Sequence, residues 1–342
     1  DRFRAALERA GHEFKIFQFP PDRIPRVDGD PSDWAVVPES YVIGTDQLRD
    51  TVGSNRLDRL DLDVRVKVGW VRGMNQLWFL YEADDNYWDF SKPDLHNDIF
   101  ELVVDGDLSG GPLIKDMHPV WKDRADGYMG FQGYHAQNYH IFTPAVDKDW
   151  AMVWGGQSWI KDLPYANAAY RFSFKPGDRG HLVLEFWITP FDYAPSDGPS
   201  RAVVSKLVEN QLIGMSWSIL DYDDVNSDRF KGFWNLSHKT TMYGHASDLC
   251  LFRLMPLEPP ITPRFAAHWS FKVLSTSRRE VAFEDQSTGT VTRRTWDFGD
   301  GTSSRETHPV HTYSKPGQYV VVLTIEGPAG SARFSRVWDV SF

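Results

Sequence analysis

Cysteine is almost absent from this chain of 342 residues, because Cys250 is the only one. A single cysteine excludes an internal disulfide, and it also excludes a zinc site built from several thiolates. Long apolar runs are missing too, since no stretch approaches the ~20 residues that a membrane-spanning helix needs. The sequence therefore predicts no membrane span.

Positive charge is also scarce. The chain has 37 Lys and Arg residues against 47 Asp and Glu residues, which gives a formal net charge of −10. An acidic surface repels phosphate backbones, so we do not expect nucleic acid as a partner. The phosphate-binding loop, the dinucleotide-binding glycine fingerprint and the G-x-S-x-G nucleophile turn do not occur. No familiar nucleotide or serine-nucleophile motif thus points to an enzyme class.

Short apolar runs separated by Gly, Pro, Asp and Asn fill most of the chain. In "DVRVKVGWV" (63–71) apolar and polar side chains alternate, which is the period-2 pattern of a half-buried strand. Many such strands with turn residues between them predict an all-β protein made of sandwiches or barrels. Residues 1–10 differ, because their apolar spacing predicts a short N-terminal helix.

A proline-rich stretch divides the chain. Four prolines lie within the eight residues 256–263, a stiff and extended composition that is unfit for a sheet interior. We therefore predict four segments: a helix and lead-in at 1–23, a large β-sandwich at 24–257, a Pro-rich linker at 258–264 and a small β-sandwich at 265–342.

The C-terminal segment carries a specific motif. Its elements are Trp296-Asp297-Phe298-Gly299-Asp300-Gly301, then His311-Thr312-Tyr313 and Pro316-Gly317. The two glycines of the first element permit a tight turn, and Tyr313 is the kind of residue that ties a sandwich corner. On these motifs residues 262–342 closely resemble the PKD (polycystic kidney disease) domain. The resemblance implies an immunoglobulin-like spacer or interaction module, and an extracellular or cell-surface protein.

The N-terminal region has a second resemblance. Its matching residues are Asp28-Gly29, Trp34, Leu80-Tyr81, Asp84-Asp85, Asp98, Glu101 and Asp105. In this order they resemble the family 9 carbohydrate-binding modules and the wider DOMON-like sandwiches, over residues 24–110. The resemblance implies a β-sandwich that binds a polysaccharide or oligosaccharide. Residues 112–250 do not align with that pattern, which leaves an added activity open.

The stretch "GYHAQNYHIF" (133–142) places two histidines and two tyrosines within ten positions. On a strand, His135 and His140 point to opposite faces, so they do not form a regular pair of metal ligands. Buried or hydrogen-bonded structural side chains are one interpretation. The other is a polysaccharide-cleaving enzyme, a lyase or a glycoside hydrolase, that uses Tyr and His as acid and base. Its candidate catalytic residues are Tyr134, His135, His140, His238, Tyr243 and His245.

Tryptophan is abundant, with 14 residues. We assign Trp70 and Trp78 to the core, because both lie within strongly alternating strands. Indoles and phenols in polar, Gly-rich surroundings are candidates for stacking on sugar rings. The candidate ligand-binding residues are Trp88, Tyr128, Trp159 and Trp234.

Oxygen ligands recur at short spacing in "DYDDVNSD" (221–228). Asp221, Asp223, Asn226 and Asp228 suit a hard cation, and we consider calcium the candidate cofactor. The central glycine of a calcium loop is missing, and a solvated acidic loop remains the alternative.

Three hypotheses for function follow from the sequence. The first is an exported bacterial glycan-binding protein, located outside the cell, on its surface or in the periplasm. The second is the polysaccharide-cleaving enzyme, and the third is a structural surface spacer. We expect a monomer.

Overall fold

The computed structural model describes residues 13–113, 132–258 and 265–341. The predicted N-terminal helix and most of the Pro-rich linker lie outside these residues. The chain forms two compact units. The larger unit contains most of the described residues up to Met255, and the smaller contains those from Pro256 onwards together with Gln18–Ile24 and Trp70–Met74. None of the helices in the described ranges is long and apolar enough to cross a bilayer.

The larger unit is built from fifteen described strands. They are β1 (Glu13–Gln18), β2 (Ile43–Gly44), β3 (Arg49–Asp50), β4 (Leu62–Trp70), β5 (Leu77–Asp85), β6 (Ile99–Asp105), β7 (Gln137–Phe142), β8 (Ala151–Val153), β9 (Ala166–Arg171), β10 (Gly180–Ile188), β11 (Phe191–Tyr193), β12 (Val203–Val204), β13 (Leu212–Asp221), β14 (Gly232–Asn235) and β15 (Cys250–Leu254). Short 3-10 helices cover Pro31–Val36, Glu39–Tyr41, Thr45–Gln47, Ser158–Lys161, Pro199–Arg201, Thr240–Tyr243 and Ala246–Asp248. The fold is all-β, as the alternating sequence pattern predicts.

Thirteen of these strands form one continuous sheet in the order β8-β7-β6-β13-β15-β1-β4-β5-β10-β9, with β14 beside β13, β3 beside β14 and β2 beside β4. Strands β5 and β6 are far apart in this order, yet the rings of Tyr81 and Phe100 lie 4.9 Å apart. Phe100 also lies 5.7 Å from Trp217 of β13 and 6.1 Å from Phe186 of β10. The sheet therefore folds over on itself into a sandwich, and these side chains fill its interior.

The period-2 prediction for β4 is confirmed, because its alternating apolar side chains are at most 1% exposed. Trp70 and Trp78 are 0% and 2% exposed, so their assignment to the core is confirmed as well. Alternation works here because successive side chains of a strand point to opposite faces, and only one face meets the interior.

The smaller unit has two sheets, β16-β17-β20 and β19-β18-β21-β22. Its strands are β16 (Trp269–Ser275), β17 (Glu280–Asp285), β18 (Arg293–Asp297), β19 (Ser303–Ser304), β20 (Val310–Thr312), β21 (Gln318–Gly327) and β22 (Gly330–Asp339). Trp296 and Phe298 are both buried, and the Tyr313 hydroxyl donates to the Phe298 carbonyl at 3.2 Å. Gly299 has a φ of +82° and lies against the backbone of Val320, where a Cβ would clash.

Candidate functional site

Two residues of the 133–142 stretch have structural partners ahead of strand β7. The His135 ring lies 3.2 Å from the Ser109 hydroxyl through Nδ1 and 2.8 Å from the Pro112 carbonyl through Nε2. The Tyr134 hydroxyl pairs with the Ser196 hydroxyl at 2.9 Å. Both side chains are thus occupied in fixing loops to the sheet.

Asn138 and His140 lie on the outer face of β7, opposite the interior. His140 is directly across from Glu101 of β6, and its Nε2 lies 3.4 Å from Glu101 Oε1. Asn138 Nδ2 donates to the same Glu101 oxygen at 2.8 Å and to the Tyr243 carbonyl at 2.9 Å. The His140 ring also packs 5.5 Å from the Trp154 ring. We call these five residues (Glu101, Asn138, His140, Trp154 and Tyr243) the outer-face patch.

The patch combines a buried polar layer with accessible rings. Glu101, Asn138 and His140 are between 0% and 7% exposed, whereas Tyr243 is 43% exposed and Trp154 is half-buried. Within the described residues, His140 Nδ1, Asn138 Oδ1 and the Trp154 indole N–H are buried without a hydrogen-bond partner. Burial lowers the pKa of His140, and the nearby Glu101 only partly opposes this. The imidazole is therefore neutral at pH 7.

The segment that follows β14 covers the rest of this face. The two 3-10 helices Thr240–Tyr243 and Ala246–Asp248 lie against β6, and Met242 and Ala246 form an apolar cluster with Val103. This cover places Tyr243 at the rim of the patch.

The other histidines of the predicted catalytic set lie apart from His140. His238 Nε2 bonds the Gln47 carbonyl at 2.8 Å. His245 pairs through its backbone with Pro112, whose carbonyl also meets His135. The structure therefore brings together His140 and Tyr243 of that set, and it gives His135 and His238 backbone partners.

The predicted sugar-stacking residues need correction. Trp88 is 1% exposed and stacks on Phe174 at 4.9 Å, and Trp234 is also 1% exposed. Neither ring has a face open to a ligand, because each fills the interior and donates its N–H there, to the Gly180 carbonyl and to Asp221 respectively. Tyr128 lies outside the described residues.

Trp159 is half-buried at a separate aromatic cluster. Its ring lies 5.0 Å from Tyr165 and 5.2 Å from Phe191, and its N–H donates to the Pro195 carbonyl at 2.8 Å. Because part of the Trp159 ring is exposed, this cluster is an alternative candidate for the predicted stacking on a sugar ring.

A cluster of carboxylates lies at one end of the sandwich interior. Asp85 ends β5 and Asp221 ends β13, and each offers an oxygen that lies within 4.8 Å of the other and of an oxygen of Asp223. Asp85 and Asp221 are buried, and Asp223 is half-buried. Burial and then the neighbouring Asp221 raise the pKa of Asp85. Burial and then Asp223 raise the pKa of Asp221.

The structure separates this cluster from the other two residues of the predicted calcium set. Asp228 is exposed and forms an ion pair with Lys92 at 2.8 Å. Asn226 is exposed and bonds Asp224. The sequence analysis did not include Asp85 among the metal ligands. Asp85 and Asp221 are distant in the sequence, and only the folding of the sheet brings them together.

A cleft of about 950 Å³ is lined by part of the 45–59 segment. Its charges are mixed, and Arg59 pairs with Asp46 at 2.7 Å. Among the described residues that line it, none is aromatic. It therefore offers no ring on which a sugar could stack.

Comparison with known proteins identifies one domain. The PKD domain family model matches residues 258–340. The C-terminal sandwich is thus a PKD domain, as its motif indicates.

Two curated relatives share a short segment with this chain. Collagenase ColA of Bacillus cereus is 40% identical over 55 residues, and collagenase ColQ1 of the same species is 43% identical over 42 residues. The segments cover 15% and 12% of this chain. They span only 6% and 4% of the two collagenases, respectively.

Solved structures are similar to both parts of the chain. A family 9 carbohydrate-binding module from Caldicellulosiruptor kristjanssonii, in complex with cellotriose, covers 73% of this chain and 100% of its own, at 14% identity and a TM-score of 0.46. The PKD1 domain of the Vibrio cholerae metalloprotease PrtV covers 23% of this chain and 100% of its own, at 28% identity and a TM-score of 0.21.

Proposed function

We propose that the larger unit binds carbohydrate at the outer-face patch. The observation that carries the proposal is that the accessible rings of Tyr243 and Trp154 are anchored by a buried polar layer. Asn138 holds the Tyr243 backbone and the His140 ring packs on Trp154. Sugar rings present C–H faces to aromatic side chains and hydroxyls to polar ones, and the patch supplies both kinds of group.

The buried layer also favours a ligand over a purely structural role. Polar atoms in protein interiors are nearly always hydrogen-bonded, and each one left unpaired costs about 1–3 kcal/mol. Within the described residues, three such atoms belong to His140, Asn138 and Trp154. Departures of this kind concentrate at functional sites, where ligand or water completes the hydrogen bonds.

The charge of the patch favours a neutral glycan. Its ionisable groups are the Glu101 carboxyl and a His140 ring whose lowered pKa keeps it uncharged. A carboxylate accepts hydrogen bonds from hydroxyls and repels a uronate, and the net charge of −10 adds to that repulsion.

We propose export as well. PKD domains, which residues 258–340 match, occur mostly in extracellular and surface proteins, where they act as spacers or interaction modules. In this account the PKD domain acts as a spacer or interaction module for the carbohydrate-binding unit.

Retention on insoluble polysaccharides tests the proposal. The native chain is passed over a panel of neutral and acidic glycans, and the variants Tyr243→Ala and Trp154→Ala are compared with Trp159→Ala. We expect binding to a neutral glycan that weakens about tenfold in the first two variants, equal to about 1.4 kcal/mol, and persists in the third. Loss of binding in Trp159→Ala alone would place the site at the Trp159 cluster instead.

One contact favours the enzyme as a second candidate. The His140 and Glu101 pair, 3.4 Å apart, has the composition of an acid–base pair. The same panel is therefore assayed for new reducing ends and for unsaturated uronate. Product that disappears in His140→Gln would establish catalysis, retention without product supports the binding function, and neither result would favour the spacer.

A further inference from the structure

The acidic cluster at the end of the sandwich goes beyond carbohydrate binding. Its three carboxylates come from three places along the chain: the end of β5, the end of β13 and the turn after β13. From the arrangement of their oxygens we propose that Asp85, Asp221 and Asp223 bind one divalent cation of the calcium type.

One oxygen of each carboxylate accepts a hydrogen bond from a neighbouring group. Asp85 Oδ1 accepts the Tyr87 N–H at 2.9 Å, and Asp221 Oδ2 accepts the Trp234 indole N–H at 3.0 Å. Asp223 Oδ2 accepts from the ammonium of Lys231. Partners of this kind fix the orientation of metal ligands and leave the second oxygen for the ion.

Two of the second oxygens lack partners within the described part of the chain. Asp221 Oδ1 and Asp223 Oδ1 are buried and make no hydrogen bond there. A further buried group lies beside the cluster. Among the described residues the hydroxyl of Tyr81 has no hydrogen-bond partner, and the carboxyl groups that act on it electrostatically are those of Asp85, Asp98 and Asp221. Tyr81 is 0% exposed, so its hydroxyl does not contact bulk solvent. This unpaired hydroxyl is independent of the carboxylates and indicates a missing partner.

The spacing and chemistry of these groups select the ion. Ligand oxygens lie about 2.3–2.6 Å from Ca²⁺, so oxygens on opposite sides of one ion are about 5 Å apart. The carboxylate oxygens here lie within 4.8 Å of one another, which a single ion can span. Carboxylate ligands suit hard cations such as Ca²⁺, whereas thiolate and imidazole suit zinc and copper.

The ammonium group of Lys231, which lies beside the cluster, does not balance the charge of its carboxylates. This ammonium contacts both Asp61 and Asp223. One positive charge is thereby shared by two carboxylates at the outer side, while Asp85 and Asp221 face each other in the interior. A divalent ion between them would join strands β5 and β13, which are not neighbours in the sheet.

Terbium luminescence tests the proposal. The full chain is treated with a chelator, exchanged into metal-free buffer and titrated with Tb³⁺, which emits when a nearby indole transfers energy to it. Trp234 donates to Asp221 and supplies that indole. We expect sensitised emission that Ca²⁺ displaces, together with a rise in melting temperature on adding Ca²⁺.

Two variants and one matched control locate the ion. In Asp85→Asn and Asp223→Asn we expect the affinity for Tb³⁺ and Ca²⁺ to fall at least about tenfold, because each loses a charged ligand. Asp228→Asn removes an equal charge from the exposed loop and should leave both affinities unchanged. Asn copies a protonated carboxyl in shape, and circular dichroism of each metal-free variant establishes that it folds. Equal affinity in all four proteins, or no response of the native chain to either ion, would overturn the proposal.

Discussion

The side-chain NH₂ group of Asn138 on strand β7 donates to Glu101 Oε1 at 2.8 Å and to the Tyr243 carbonyl at 2.9 Å. This side chain links the middle of the sheet to the segment that carries the exposed phenol. The position of the Tyr243 ring is therefore set by the buried face of the sheet, which is how a rigid scaffold prepares a surface for a ligand.

Truncating the exposed ring should separate binding from stability. Tyr243 is 43% exposed, so Tyr243→Ala should change the free energy of unfolding by no more than about 0.5 kcal/mol. Glycan retention should nevertheless fall. Chemical denaturation and affinity electrophoresis on the same samples measure the two effects, and a variant that unfolds more easily while binding normally would contradict the assignment.

The buried indole of Trp88 should behave in the opposite way. Trp88→Ala removes a ring that stacks on Phe174 and leaves a cavity, so unfolding should become easier by about 3–5 kcal/mol. The milder Trp88→Phe should retain glycan as the native chain does. Loss of glycan binding in Trp88→Phe at an unchanged melting temperature would contradict this and would show that the Trp88 ring contacts the ligand.

Acidification should destabilise the larger unit through His140. Burial lowers the folded-state pKa below the unfolded value of about 6.5, so the unfolded chain binds more protons between these two values. The stabilisation from the neutral ring is complete above about pH 6.5 and is lost as the pH falls towards the folded-state pKa. Urea unfolding of native chain and His140→Gln across this range should show a smaller pH dependence in the variant. Glu101 faces the ring, and equal slopes in both proteins would mean that His140 does not titrate differently on folding.

The corner of the PKD domain offers a local test. Tyr313→Phe removes the hydroxyl that bonds the Phe298 carbonyl and keeps the ring. The loss should be about 1 kcal/mol in the free energy of unfolding of this domain, the usual contribution of one hydrogen bond. Thermal unfolding followed by the fluorescence of the domain's indoles measures it, and an unchanged midpoint would show that the bond does not stabilise the corner.

Local patterns in the sequence account for much of the fold. Alternation identified strands such as β4 because the pattern depends only on neighbouring residues and on which face is buried. The PKD domain was recognisable because the turn around Gly299 demands specific residues close together in the chain. The sites depend on contacts between residues that are distant in the sequence. Asn138 and Tyr243 are 105 residues apart, and no local spacing connects them.

Trp88 shows the converse error. Its polar neighbours in "DDNYWDF" suggested an exposed ring, yet Phe174 covers it from a distant part of the chain. Composition reports the surroundings along the chain, whereas burial is decided by what packs on the ring in space. Asp85 was missed as a partner of Asp221 for the same reason.

Side-chain NMR of a labelled chain tests the central claim most directly. His and Tyr ring signals are assigned by substitution, and an oligosaccharide of the retained glycan is added. The account predicts that the signals of His140 and Tyr243 shift in a saturable way, while that of Tyr165 beside Trp159 stays in place. A shift confined to Tyr165, with His140 and Tyr243 unmoved at saturation, would contradict it.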